Sequence, residues 1–139
     1  MKKNNVYLCG PIEGLTPEQQ TKWRNDATFY LRLNDITTLD PCRRTNFVLD
    51  SSAFAAKRIF KSDLQDISYS TVILANLCDS LPGRKWGSIA EIAHAHTQNK
   101  IIIVVMDEGQ FMHPFISCYA TEVHFSLNSA INAVKEYYL

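Results

Sequence analysis

Two runs, TVILANL at 71–77 and IIIVVM at 101–106, constrain this chain more than any other feature. Each has the length of one strand, is rich in β-branched residues, and is apolar without alternation. A strand of that kind is buried on both faces of its sheet. Something must then cover each face, and the segments between the runs carry the periodicity of helices.

Three further strands complete the pattern. NVYLC (5–9) is short and apolar, ITTLD (36–40) stops at Pro41, and EVHFS (122–126) is a weaker last strand. A helix is predicted over 16–33, with Thr16 as its cap, Pro17 and Glu18 in its first turn, and Trp23, Ala27, Tyr30 and Leu31 at helical spacing. Another runs from about Ala53 to Tyr69, with Ala56, Phe60, Leu64 and Ile67 on one face, after a polar, irregular stretch at 42–52. The loop CDSLPGRKW leads into a helix from about Gly87 to Gln98, HPF at 113–115 opens a short one, and 127–137 closes the chain. Strands alternating with helices give an α/β domain with a mainly parallel, five-stranded sheet. The 139 residues suffice for one domain with one sizeable core.

Composition narrows the partners. Formal net charge is zero, so no global field recruits nucleic acid or an anionic membrane. No apolar run nears the roughly 18 residues of a membrane span, and MKKNN has no apolar stretch behind it to make a signal peptide. Cys9, Cys42, Cys78 and Cys118 form no C-x-x-C pair, which argues against zinc or redox motifs and for small buried thiols in a cytoplasmic protein.

Ligands of open α/β sheets sit beyond the carboxyl ends of the strands. That edge gathers Gly10-Pro11, Asp40-Pro41, Asn76 through Gly87, and Met106 through Pro114. Gly10, in VYLCGPIEGL, is either a plain turn residue or one that lets the backbone come close to a ligand. Asp63 lies three after Phe60 and four before Ile67, on their apolar face, where a carboxylate is costly without a partner or a purpose. Its spacing leaves a structural hydrogen bond and a functional role equally open. Asp66 is turned further toward solvent. Glu91 falls near the start of the helix at Gly87, where the dipole lowers its pKa, although any acidic residue is welcome there. Ser88 shares its side of the helix. Tyr7 in the first strand can hydrogen-bond a carboxylate or a ligand hydroxyl.

Other constellations carry less. His94 and His96 point about 200° apart on a helix and cannot share a metal. His113 is a ligand contact or a turn residue. Arg43, Arg44, Lys57, Arg58, Arg84 and Lys85 are scattered and mostly solvated. Neither G-x-x-x-x-G-K-[ST] nor G-x-G-x-x-G occurs, which disfavours conventional triphosphate and dinucleotide enzymes.

In order, VYLCGPI, WRNDATFYL, SDLQDI, VILANL, GSIAEIAHA, NKIIIVV and HPF resemble the nucleoside 2-deoxyribosyltransferase-like family over roughly residues 5 to 135. The resemblance implies a single doubly wound domain of flavodoxin or Rossmann-like type, usually in an oligomer. It implies cleavage of the N-glycosidic bond of a deoxynucleoside or its monophosphate, with the sugar passed to another base or to water. Glu91 in GSIAE matches the family's nucleophile, Asp63 its sugar-binding aspartate and Tyr7 its first-strand tyrosine. Gly10, Pro11 and Ile12 fall on the loop beside the sugar's 5′ side. Asn76, Gly87, Ser88 and His113 join them as candidate substrate contacts. No metal or organic cofactor is implied. The family's transferases often carry an aspartate before the glutamate, where this chain has PGRKWGSIAE, and Glu13 stands where a cation would favour a 5′-monophosphate. A hydrolase of another ribosyl compound and a non-catalytic nucleotide-binding regulator are the rival readings. With few loops to cover its site, the chain is expected to form a homo-oligomer, with His113 to Phe115 near the interface.

Overall fold

A computed structural model describes residues 4–47 and 53–138. Its elements are β1 (Asn5–Cys9), α1 (Pro17–Arg32), β2 (Thr37–Leu39), a 3₁₀ segment (Pro41–Phe47), α2 (Ala53–Ser68), β3 (Val72–Asn76), α3 (Trp86–Thr97), β4 (Ile101–Val105), α4 (Pro114–Tyr119), β5 (Glu122–His124) and α5 (Leu127–Glu136). The predicted helices and strands are all present within a residue or two. The 3₁₀ segment occupies most of the stretch expected to be irregular, whose residues 48–52 lie outside the described ones.

All five strands are parallel, in the order β2-β1-β3-β4-β5. The chain therefore winds outward from β1 to β2, then crosses to β3 on the other side. This reversal opens a crevice beyond the carboxyl ends of β1 and β3. No helix among the described residues is long and apolar enough to cross a membrane.

The pleat sorts each strand between two cores. Val6, Leu8, Val72, Leu74, Ile103 and Val105 face Trp23, Ala27 and Leu31 of α1 and Ala130, Ile131 and Val134 of α5. Tyr7, Cys9, Ile73, Ala75, Ile102 and Val104 face Ile67 of α2, Ile92 and Ala95 of α3 and Ile116 of α4. Odd-numbered residues of β1 thus point toward α2 and α3, which decides where the site forms.

The start of α1 follows its sequence. The Thr16 hydroxyl accepts from the Gln19 N–H at 3.2 Å, and the Gln19 side chain accepts from the Thr16 N–H at 3.0 Å. Four side-chain expectations, at Tyr30, Ala56, Phe60 and Cys118, are corrected. Tyr30 is 45% exposed, because the buried stripe of α1 runs through Arg24, Ala27 and Leu31. On α2, Ile67 is buried but Phe60 is 55% exposed and Ala56 is exposed too, since the sheet reaches only the C-terminal end of that face. Cys9 and Cys78 are buried as expected, whereas Cys118 is exposed on α4.

Candidate active site

Tyr7 is the penultimate odd residue of β1, and its phenol donates to Glu91 Oε2 at 2.9 Å. From the next odd position, the Cys9 thiol reaches Glu91 Oε1 at 3.6 Å and the Ser88 carbonyl at 3.5 Å. Asp63 of α2 approaches the same glutamate from the opposite wall, and the two carboxyls can hydrogen-bond when one is protonated. Tyr7, Asp63, Ser88 and Glu91 line a cavity of about 200 Å³ at the sheet's reversal point, together with Gly10, Pro11, Ile12 and Gly87. A Cβ at Gly87 would meet nothing within 4 Å, so the cavity stays open over the start of α3.

The charge state of Glu91 corrects the sequence reading. Helix α3 starts at Trp86, so its first turn holds no acidic residue and Glu91 lies in the second. The dipole effect fades beyond the first turn. Burial and then the charge of Asp63 push Glu91 up to about 8. Tyr7 and Cys9 oppose this only in part. Asp63 is also raised, by burial, with Arg44 acting in the other direction. The phenol of Tyr7 is driven well above its ordinary value by burial and by Glu91, so it remains a donor.

Asp63 faces inward as its spacing predicts, whereas Asp66 departs from expectation. Asp66, predicted to face solvent, is 5% exposed. Arg43 and Arg44 fold back from the 3₁₀ segment and bind it at 2.7 and 2.5 Å. Arg44 also holds Asp63 Oδ1 at 2.7 Å, so it is a half-buried partner of the site rather than a solvated cation.

Two candidate contacts serve the backbone instead. Asn76 is buried, and its side-chain oxygen accepts from the Cys78 N–H at 3.2 Å, closing the turn after β3. The His113 ring accepts from the Phe115 N–H at 3.1 Å and caps α4. Neither lines the cavity around Glu91. His94 and His96 do separate: His94 lines a groove between α2 and α3, while His96 packs on Tyr119 at 5.2 Å.

Gly10 is required by packing as well as by position. A Cβ there would lie 2.8 Å from the Trp23 indole and 3.3 Å from the Asn76 carbonyl. Beneath it, the fully buried Arg24 donates to the carbonyls of Leu8 at 2.8 Å and Gly10 at 2.9 Å and pairs with Asp40 at 3.4 Å. Arg24 thus holds the carboxyl end of β1 in place. Sequence reading did not single it out, yet its spacing of three and seven from Ala27 and Leu31 places it on the buried stripe. Across the mouth, Gly83 lets its loop lean on Pro11 and Leu15, where a Cβ would come within 3.0 and 2.8 Å. Arg84 then pairs with Glu13 at 2.7 Å and donates its N–H to the Glu13 carbonyl at 3.0 Å. The Glu13 charge is therefore matched at the cavity rim.

No family model matches the chain, and no curated protein matches it in sequence. Solved structures do. A 2-deoxyribosyltransferase from Bacillus psychrosaccharolyticus is similar with a TM-score of 0.75 and 21% identity, over 92% of this chain and 90% of that one. A CMP N-glycosidase from Clostridium botulinum is similar with a TM-score of 0.62 and 16% identity, over 94% and 98%. A molybdenum cofactor binding protein from Rippkaea orientalis is similar with a TM-score of 0.66 and 15% identity, over 100% and 99%. The chain thus has the doubly wound α/β fold that a 2-deoxyribosyltransferase shares with a nucleotide N-glycosidase and with a cofactor-binding protein.

Proposed function

We propose that this protein cleaves the N-glycosidic bond of a 2′-deoxynucleoside or its monophosphate and passes the sugar to another base or to water. The observation that carries this reading is the Tyr7–Glu91–Asp63 arrangement: two carboxyls and a phenol converging in one cavity at the sheet's reversal point. In the first step Glu91, once ionised, attacks the anomeric carbon. The new carbon–oxygen bond replaces the carbon–nitrogen bond, whose electron pair leaves with the base, and the base takes a proton from solvent. In the second step water or a second base attacks the same carbon, the carbon–oxygen bond to Glu91 breaks with its electron pair returning to the carboxylate, and the attacker gives up a proton to solvent. The logic is that of a retaining glycosidase. Tyr7 orients the Glu91 carboxylate through Oε2, the Cys9 thiol touches Oε1, and Asp63 contacts the same carboxyl. Asp63 accepts hydrogen bonds from sugar hydroxyls. The mechanism uses no metal or organic cofactor.

The similarity to a CMP N-glycosidase and to a transferase supports both acceptors, and the paired rim charges of Glu13 and Arg84 favour an unphosphorylated substrate. The similarity to a cofactor-binding protein supports a second reading, a nucleotide-binding module that does no chemistry. We also propose a homo-oligomer. A groove of about 540 Å³ between α2 and α3, lined by Ala56, Ile59, Phe60 and Leu64, runs into the cavity through Asp63, Gly87 and Glu91. A second copy seated there would cover both, and the 64% exposed Phe115 of the HPF segment would extend the contact. The deciding experiment incubates the protein with a panel of deoxynucleosides, ribonucleosides and monophosphates, with and without an acceptor base, and separates the products by chromatography. Free base or exchanged nucleoside is the expected outcome. Binding without release of base from any compound would select the second reading.

A further inference from the structure

The mechanism gives no part to Arg44, which touches Asp63. Arg44 sits where the 3₁₀ segment departs from helical geometry, at φ −96° and ψ 37°. That kink returns its side chain onto α2. Nη1 donates to Asp63 Oδ1 at 2.7 Å, and Nη2 donates to Asp66 Oδ2 at 2.5 Å and to the Ser62 carbonyl at 3.4 Å. Arg44 and Asp63 are only 14% and 13% exposed. Arg43 binds the same oxygen of Asp66 at 2.7 Å and donates to the Asp40 carbonyl at 2.7 Å, but it has no contact with Asp63 among the described hydrogen bonds.

We propose that Arg44 is a positioning residue that fixes Asp63 as an ionised acceptor beside Glu91, so that the proton shared by the two carboxyls resides on Glu91 in the resting protein. The catalytic consequence rests on the function proposed above; the location of the proton does not.

The two carboxyls differ in what surrounds them. Two carboxyls in one partly buried cavity hold a proton between them, because both cannot ionise cheaply. From β1, Glu91 receives two neutral donors, the Tyr7 phenol and the weak Cys9 thiol. From the 3₁₀ segment, Asp63 receives a full positive charge in contact. A charge-assisted bond is roughly twice as strong as a neutral one. On α2 the Asp66 charge opposes this, but Arg43 matches it. At the rim, Glu13 and Arg84 match each other. Across the groove from Asp63 stands His94 of α3, and beside Arg44 the Cys42 thiol, pushed up chiefly by burial, stays a neutral neighbour. The balance places the anion on Asp63 and the proton on Glu91, in the same sense as the raised Glu91 pKa. It also settles the direction of hydrogen bonding. Arg44 fills one acceptor site of Asp63 Oδ1, and an ionised Asp63 has only acceptor sites to offer, so a sugar hydroxyl must be the donor.

The test follows the carboxyl ¹³C resonances of Asp63 and Glu91 with pH, assigned through Asp63→Asn and Glu91→Gln, in the wild type, Arg44→Gln, Arg44→Lys and Arg43→Met. In the wild type Asp63 should ionise at lower pH than Glu91. In Arg44→Gln the Asp63 titration should rise by about one pH unit, a tenfold change in its ionised fraction, and Arg44→Lys should restore most of it. Arg43→Met should leave it in place. In parallel, kcat/KM for base release at pH 7 should fall about tenfold in Arg44→Gln, chiefly through KM. Glu91 ionising before Asp63 in the wild type would overturn the proposal even if Arg44→Gln fails to fold. Equal shifts in Arg43→Met and Arg44→Gln would overturn it as well, by reducing both arginines to holding a loop. A wild type that releases no base would sink the proposed function and leave the titration order standing as the test of Arg44.

Discussion

Replacing Glu91 by Gln separates the charge of this residue from its shape, and the two should act oppositely on activity and stability. A glutamine can still accept from Tyr7 and can donate to Asp63, so the cavity stays satisfied at every pH. In the wild type, Glu91 is raised from 4.5 to about 8 on folding. The sign follows from proton binding: between these values the folded protein holds the proton and the unfolded chain does not. The associated stability is fully present below pH ~4.5 and is lost as pH rises through about 8. At about 1.4 kcal/mol per pH unit the whole window is worth at most ~5 kcal/mol. Glu91 opens onto the cavity mouth, and solvent there screens part of the effect, leaving about 1–3 kcal/mol. For a chain of this size that amounts to roughly 3–10 °C in Tm. Glu91→Gln should therefore melt close to the wild type at pH 5 and roughly 3–10 °C above it at pH 9, while base release is abolished. Melting curves by circular dichroism at pH 5, 7 and 9 read the first effect and chromatography reads the second. A constant difference between the two proteins across this range would refute the assigned charge state. Retained turnover would refute the nucleophile.

Wild-type kcat/KM for base release should climb with pH and level off above about 8, since only ionised Glu91 attacks; a flat profile from pH 6 to 9 would contradict this. Asp63→Asn should lower turnover by about 10²-fold, as misplaced substrates do, at a stability cost of only about 1–2 kcal/mol because Asp66 still pairs with Arg44. A change in melting temperature alone would make Asp63 structural. Gly10→Ala should destabilise by about 1–3 kcal/mol, because its methyl group meets the buried Trp23 indole at 2.8 Å; denaturant titration checks this, and an unchanged midpoint would show that the loop has slack. Light scattering at micromolar concentration should show a homo-oligomer that Phe60→Glu dissociates; a fully active monomer would remove the second copy from the site.

What could be read from sequence depended on local rules. Continuous apolar runs at 71–77 and 101–106 specify buried parallel strands, and Thr16-Pro17 specifies a capped helix, because each signal lies within one element. Tyr7 in the first strand, Asp63 on the apolar face of its helix and Glu91 near a helix start are each local signals that the family resemblance also picks out, and the three line one cavity. The misreadings concern what a side chain meets across the fold. Asp66 reads as solvated until Arg43 and Arg44 reach it from the 3₁₀ segment, 23 and 22 residues away. Asn76 and His113 lie at the expected edge, but polar side chains at turns and helix starts also serve backbone N–H groups, and here they do. The charge of Glu91 was misjudged because position along a helix suggested ionisation, whereas burial and Asp63 favour the proton. Arg24 is an instance of a charge placed inside to hold carbonyls that the sheet leaves unpaired at the end of β1.

The central claim is a covalent sugar–Glu91 intermediate, and intact-protein mass spectrometry tests it most directly. The protein would be incubated with a 2′-deoxy-2′-fluoroarabinosyl nucleoside, whose fluorine destabilises the oxocarbenium-like transition states and so slows breakdown of the adduct. The account predicts one equivalent of released base, a mass increase of one fluorosugar per chain, peptide mapping of the adduct to Glu91, and no adduct in Glu91→Gln. Base release from natural substrates with no adduct on Glu91, or an adduct that persists in Glu91→Gln, would contradict it.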